Sequence, residues 1–181
     1  MTKPSASGHD TKHARIAKNH CFACGPDNPD GMHLKFKFDH KGGRAWCRFR
    51  LPLRFQGPPG HAHGGIIATI LDEAMGKVNK LRSVIAVTKT MEVEYLKLVP
   101  LRKSLIAEGR ERSVRGRKHV NVARILNEKG EVLAESRGLF IAIDPARMFA
   151  KHLRPGERTG PVANAAPPES KSRGTGRKVV K

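Results

Sequence analysis

Thirteen residues near the middle of the chain set its architecture. Ile66, Ile67, Ile70, Leu71, Ala74, Met75 and Val78 recur every three to four positions, the period of an α-helix. The apolar arc is wide, which predicts a deeply buried helix. On either side the period changes to that of a strand. Residues 33–39 (HLKFKFD) alternate strictly and residues 45–51 (AWCRFRL) more loosely, with Gly42-Gly43 as the turn between them. After Ser83 come β-branched or alternating runs at 84–98, 104–114, 120–127 and 132–143, separated in part by Gly116 and Lys129-Gly130. The predicted order is β-β-α-β-β-β-β. Short turns between consecutive strands imply an antiparallel sheet, and a single buried helix must pack on that sheet's apolar face. The expected fold class is α+β, an antiparallel sheet wrapped around one long central helix.

With 181 residues the chain is long enough for one compact domain with a substantial core. Its apolar fraction of 38% and mean hydropathy of -0.48 are low for such a core, so part of the chain is expected outside it. Residues 1–18 read as a flexible basic segment. Residues 151–181, rich in Pro, Gly, Ser and Lys/Arg, read as a disordered tail, because this composition cannot bury enough apolar surface to offset its ordering entropy. The domain is expected at 19–150. The formal net charge of +19 suggests an anionic partner: nucleic acid, an anionic membrane surface or a polyphosphate ligand. Nearly half of that excess falls on the two flanks, where solvated tails explain it equally well. With one Trp and one Tyr, base-stacking platforms are scarce. No apolar run reaches 18 residues, so no membrane insertion is expected. No secretory signal is recognisable, and three cysteines suit a reducing compartment. The expected location is cytoplasmic.

Candidate chemistry gathers at the helix. His63-Gly64-Gly65 stands at its start, after an irregular loop holding Pro58, Pro59 and Gly60. The first amides of a helix lack intrahelical acceptors and carry the positive end of the dipole. They can therefore polarise a carbonyl and hold a developing oxyanion. Asp72 follows Gly65 by seven residues, about two full turns, so the two share a face with Thr69 between them. A carboxylate beside a buried surface is costly unless paired or used. Asp72 or Glu73 could instead face solvent or pair with a base such as Arg82. Gly65 and Asp72 stand roughly 10 Å apart along the axis. One reacting carbon needs contacts near ~3 Å and cannot touch both. If both act, a second copy must supply one of them, and two helices antiparallel across a twofold would do so. A homodimer with two shared sites is expected.

Four stretches resemble the PaaI-like, 4-hydroxybenzoyl-CoA thioesterase-type hotdog family. Residues 19–34 (NHCFACGPDNPDGMHL) are similar to its N-terminal signature. Residues 55–72 (FQGPPGHAHGGIIATILD) resemble its loop, glycines and helix, with the acid nine residues after the histidine. Residues 88–101 (TKTMEVEYLKLVPL) look like its next strand, Leu98 standing where the family has a proline. In residues 109–125, Arg115-Gly116-Arg117-Lys118 resembles its basic turn. The resemblance implies the hotdog fold and hydrolysis of an acyl-CoA thioester. It implies Asp72 as general base or nucleophile, the Gly65 amide as carbonyl polariser, His63 as orienting group and Thr88 as a positioner of water. No cofactor is implied, and a dimer of dimers is compatible. Gly64 and the basic residues Arg115, Arg117, Lys118, Arg102 and Lys103 are the candidates for contacting substrate and the phosphates of coenzyme A. Ordinary basic turns are the plainer reading of the last five. Met75, Val78 and Leu81 are candidates for closing the far end of an acyl groove.

Other readings differ in chemistry. A hotdog protein could bind acyl-CoA without cleaving it, as a sensor whose basic tails contact nucleic acid. A dehydratase would need a His and an acid at another spacing. Cys21-x-x-Cys24 invites zinc, but tetrahedral zinc usually draws on a second pair, which the sequence lacks. Small buried thiols in a turn are the preferred reading there, and a loop role is preferred for His61 and His63. No metal is expected.

Overall fold

A computed structural model describes residues 18–153, together with the backbone of two short strands, β1 (Arg15–Ile16) and β8 (Glu157–Arg158), which pair in parallel. The expected flexible flanks otherwise lie outside the described residues. Between them run β2 (Lys37–Asp39), β3 (Arg44–Phe49), α1 (Gly64–Val78), β4 (Ala86–Tyr95), β5 (Leu105–Arg115), β6 (Lys118–Asn127), β7 (Val132–Ala142) and α2 (Pro145–Phe149). Six strands form one antiparallel sheet in the order β2-β3-β5-β6-β7-β4. α1 lies across one face, touching β3 through β7. This is the hotdog fold.

The helix sits where its period requires. Ile67, Ile70, Leu71, Ala74, Met75 and Val78 are its buried residues, and they meet Leu105, Ala107, Ile125, Ala134 and Phe140 from the sheet. One cross-strand row under the helix is made of small residues: Gly109 pairs with Ala123, which pairs with Ser136. A Cβ on Gly109 would lie 2.3 Å from the Ala74 carbonyl oxygen, so only glycine lets β5 approach the helix backbone this closely. At its far end α1 passes into a 3₁₀ turn, Asn79–Arg82, and stops at Ser83 in the left-handed conformation (φ 55°). The buried Asn121 amide caps this end, donating to the Met75 carbonyl and to Asn79 Oδ1, both at 2.9 Å.

The ends of the expected strands shift. The first strand begins at Lys37 and not at 33. His33 has φ 51°, and the amides of Met32 and Leu34 bond the Phe22 and Ala23 carbonyls, which holds this stretch on the N-terminal loop. The strand expected to run to 98 ends at Tyr95, because the Leu96 and Lys97 amides both donate to the Leu133 carbonyl. The strand expected at 45–51 is Arg44–Phe49. The short α2 adds to the expected elements, and Asp144-Pro145 announces it. The Asp144 carboxylate accepts from the Ala146 and Arg147 amides, and proline takes the first helical position.

Candidate active site

α1 and β4 run antiparallel, and two side-chain bonds mark the alignment. Tyr95 Oη donates to the Gly64 carbonyl at 3.2 Å near the helix start. Two turns on, Thr88 Oγ1 donates to Asp72 Oδ1 at 2.7 Å. The pairing of β4 with β7 shifts register between Thr88 and Thr90. A bulge of this kind re-aims side chains, here beside the residue that faces Asp72. Asp72 is half-buried. Burial raises its carboxyl above the usual range, the Thr88 hydroxyl opposes that, and the neighbouring Glu73 charge adds to it. Thr88 holds one carboxylate oxygen and leaves Oδ2 available, so the group is an oriented acid of raised basicity.

The alternatives for this acid are occupied elsewhere. Arg82 forms a two-pronged bond with Glu111, at 2.6 and 2.7 Å. Glu73 turns away from Thr88 and pairs with Lys77 at 2.8 Å.

The helix start is built by the preceding loop. The His63 amide donates to the Phe55 carbonyl at 2.9 Å and the Ala62 amide to Val99 at 2.8 Å, with a bridge between Gln56 and Ala62. His61 is tied back to the Pro59 carbonyl through Nδ1, at 2.8 Å. His63 is the N-cap, in extended conformation, and its Nδ1 accepts the Gly65 amide at 3.0 Å. The ring nitrogen in that bond carries no proton, so the proton of neutral His63 is on Nε2. The amide proposed by sequence to polarise a carbonyl is therefore engaged by the histidine two residues before it. Histidine is not among the common N-caps, which is why the sequence did not disclose this. Thr69, between Gly65 and Asp72, spends its hydroxyl on the Gly65 carbonyl at 2.9 Å.

An open pocket of about 360 Å³ adjoins the helix start, walled by Pro58, Gly64, Ile67, Tyr95, Leu96 and Leu98. Met75 and Val78, expected to plug the far end of an acyl groove, are fully buried in the core, and Leu81 is half-buried beyond them. The apolar space thus lies at the opposite end of the helix from those three.

The basic candidates separate. Arg102 and Lys103 are exposed on the turn before β5, where the Leu101 amide bonds the Gly60 carbonyl, at the end of the domain near the helix start. Arg115, Arg117 and Lys118 occupy the β5–β6 turn at the other end, one row beyond Thr88 in the register through β7 and β6. Arg117 Nε donates to the Ala142 carbonyl at 2.9 Å. Within one chain the two clusters do not converge.

Residues 59–134 match the model of the thioesterase superfamily. Mouse acyl-coenzyme A thioesterase THEM4 is 33% identical over 75% of this chain, and the chain spans 59% of that protein's length. A crystal structure of RHA08564, a thioesterase superfamily protein, superposes with a TM-score of 0.65 at 30% identity, over 68% of this chain and 63% of that one. A protein from Streptococcus mutans, solved with acetyl CoA bound, shares the fold with a TM-score of 0.57 at 23% identity, over 61% of this chain and 88% of that one.

Proposed function

Since the chain belongs to the thioesterase superfamily and carries its hotdog fold, we propose that it hydrolyses an acyl-CoA thioester to the free acid and coenzyme A, with Asp72 as the acting carboxylate. The observation that carries this reading is the Asp72–Thr88 pair: a half-buried acid held by a hydroxyl at 2.7 Å, with its second oxygen free. Raised basicity suits a group that takes a proton from water, and the fixed orientation equally suits direct attack on the carbonyl carbon. The likeness to THEM4, an acyl-coenzyme A thioesterase, supports the substrate class. The acetyl CoA in the S. mutans structure supports it too.

The Gly65 amide polarises the thioester carbonyl once His63 Nδ1 gives it up. His63 thus screens the donor in the empty site and releases it to a better acceptor. Gly65 and Asp72 are two turns apart on one helix, roughly 10 Å, so the two roles meet only between two copies. The exposed edge of β4, which among the described residues pairs only with β7, supports a homodimer in which helices cross antiparallel. That arrangement also resolves the separated basic clusters. Arg102 and Lys103 of one copy come to the same end as the Arg115–Lys118 turn of the other, and together they hold the phosphates of one coenzyme A. The pocket at the helix start takes the acyl group. Three free cysteines suit a reducing, cytoplasmic setting.

The test is release of free thiol from a panel of aliphatic and aryl acyl-CoA esters, with sedimentation to give the oligomeric state. Turnover of at least one ester that Asp72→Asn abolishes is expected. No turnover of any ester, with Asp72→Asn indistinguishable from wild type, rejects the proposal.

A further inference from the structure

On the other side of α1 from Thr88, the helix meets the N-terminal loop. There the ligand atoms of Cys21, Cys24 and Glu73 all lie within 4.8 Å of one another. We propose that these three side chains bind a divalent transition-metal ion of zinc's class, with water as fourth ligand.

The sequence argued against zinc because Cys21-x-x-Cys24 has no second pair. The fold supplies the missing ligand from α1, 49 positions after Cys24, where no motif search would look. The spacing is close to what the ion needs. Ligand atoms about 2.0–2.3 Å from a tetrahedral zinc stand roughly 3.3–3.8 Å apart. Only a modest inward movement is required, and Cys21, which is exposed on a loop, can make it.

The loop is shaped for this. The Gly25 amide closes on the Cys21 carbonyl at 2.8 Å, and Asn19 Oδ1 accepts the Cys21 amide at 3.0 Å. A Cβ on Gly25 would fall 2.4 to 2.6 Å from the Asn19 and Cys21 backbones, so the turn that presents both sulfurs requires glycine there.

Charge also balances. Two thiolates and a carboxylate around a dication leave one negative charge. Lys77 Nζ sits 2.8 Å from Glu73 Oε1 and 3.0 Å from Cys24 Sγ, and its ammonium cancels that charge while donating to both ligands. Without metal, protonated thiols leave the Glu73–Lys77 ion pair, which is also neutral. Cysteines bind such an ion as thiolates, so binding must expel protons. The ion would fasten the loop of residues 19–31 to the helix one residue past Asp72.

The test uses the full chain, purified with reductant and stripped by chelator. Titration with Co²⁺ is expected to give thiolate-to-cobalt charge-transfer absorption saturating at one ion per chain. Zn²⁺ should bleach that band, and metal binding should release roughly two protons, one per thiol. Zn²⁺ should also raise the melting temperature. Cys21→Ser, at an exposed position, should lower metal affinity at least ~10-fold while leaving the metal-free melt unchanged, since even a partner outside the ligand shell is commonly worth that much. Glu73→Gln should weaken it likewise. Absence of charge transfer overturns the proposal, as does wild-type affinity in Cys21→Ser. Recovery of Cys21 and Cys24 as a disulfide from the reduced preparation also overturns it.

Discussion

Replacing Thr88 by valine keeps the shape of the side chain and removes one hydroxyl. That hydroxyl donates to Asp72 Oδ1 at 2.7 Å, a short bond to an ionisable acceptor. Hydrogen bonds to charged groups contribute about 1.5–3 kcal/mol. Thr88 is exposed on an edge strand, where water can partly replace the lost donor, so the lower end applies. About 1.5 kcal/mol of orientation lost in the transition state is roughly tenfold in kcat/KM. The loss should fall on kcat, because Thr88 contacts the acid and not the body of the substrate. A second effect is separable. The Thr88 bond favours the ionised carboxylate, so without it the acidic limb of the pH–rate profile moves to higher pH. Thr88→Ser restores the donor and should recover most of the activity and the original limb. Steady-state kinetics across a pH series on one good acyl-CoA ester decides it. Wild-type kcat in Thr88→Val, or a Thr88→Ser variant as impaired as Thr88→Val, would refute this account of the pair.

Asp72→Asn should melt higher than wild type at neutral pH. Burial raises the native carboxyl above its unfolded value, so its favourable contribution is complete below the unfolded pKa and disappears as pH rises through the native one. Melts of both proteins should converge on acidification, and equal melting at every pH counts against the assigned burial. Leu71→Ala, at a fully buried helix position, should cost about 3 kcal/mol in denaturant unfolding. A loss below roughly 1 kcal/mol would mean that α1 is not the centre of the core. Charge reversal at Arg102 and Lys103, or at Arg115 and Lys118, should raise KM for acyl-CoA and flatten its salt dependence, with kcat nearly kept. If either pair leaves KM unchanged, that cluster is an ordinary basic turn.

The helix was legible because thirteen residues hold one period without interruption, and the strands because β-branched alternation returns after it. Their ends were not. The stretch around His33 is held by the Met32 and Leu34 amides on the N-terminal loop, and Leu96 and Lys97 both turn to the Leu133 carbonyl, contacts that no local pattern encodes. At the site, the common face of Gly65 and Asp72 follows from the helical repeat alone. The partner of Asp72 was reachable only through family resemblance, since Thr88 lies on another element. His63 as a cap on Gly65 was hidden because histidine seldom plays that part. The basic residues could be found by composition, but their division between two ends of the domain depends on strand order. The same holds for Glu73, for which the sequence offered only solvent or a basic partner. The fold instead directs it to the N-terminal cysteines.

The antiparallel run of α1 against β4 also bears on how the domain comes together. Asp72 and Thr88 are separated by 16 positions, and the link between their elements is only the 3₁₀ turn and a few residues after it. Closing so short a loop carries a small entropic cost. By contrast, β3 pairs with β5 across about 60 positions, and β4 pairs with β7 across about 40 to 55, with β5 and β6 between them in the chain. Contacts near in sequence carry a smaller closure cost than distant ones, and distant pairings slow folding. On that ground the acid and its hydroxyl partner are predicted to come together early, and β4 to acquire its sheet neighbour late. Until then both edges of that strand are open. In a crowded refolding mixture, the segment that carries half of the site is also the one most exposed to mispairing with another chain.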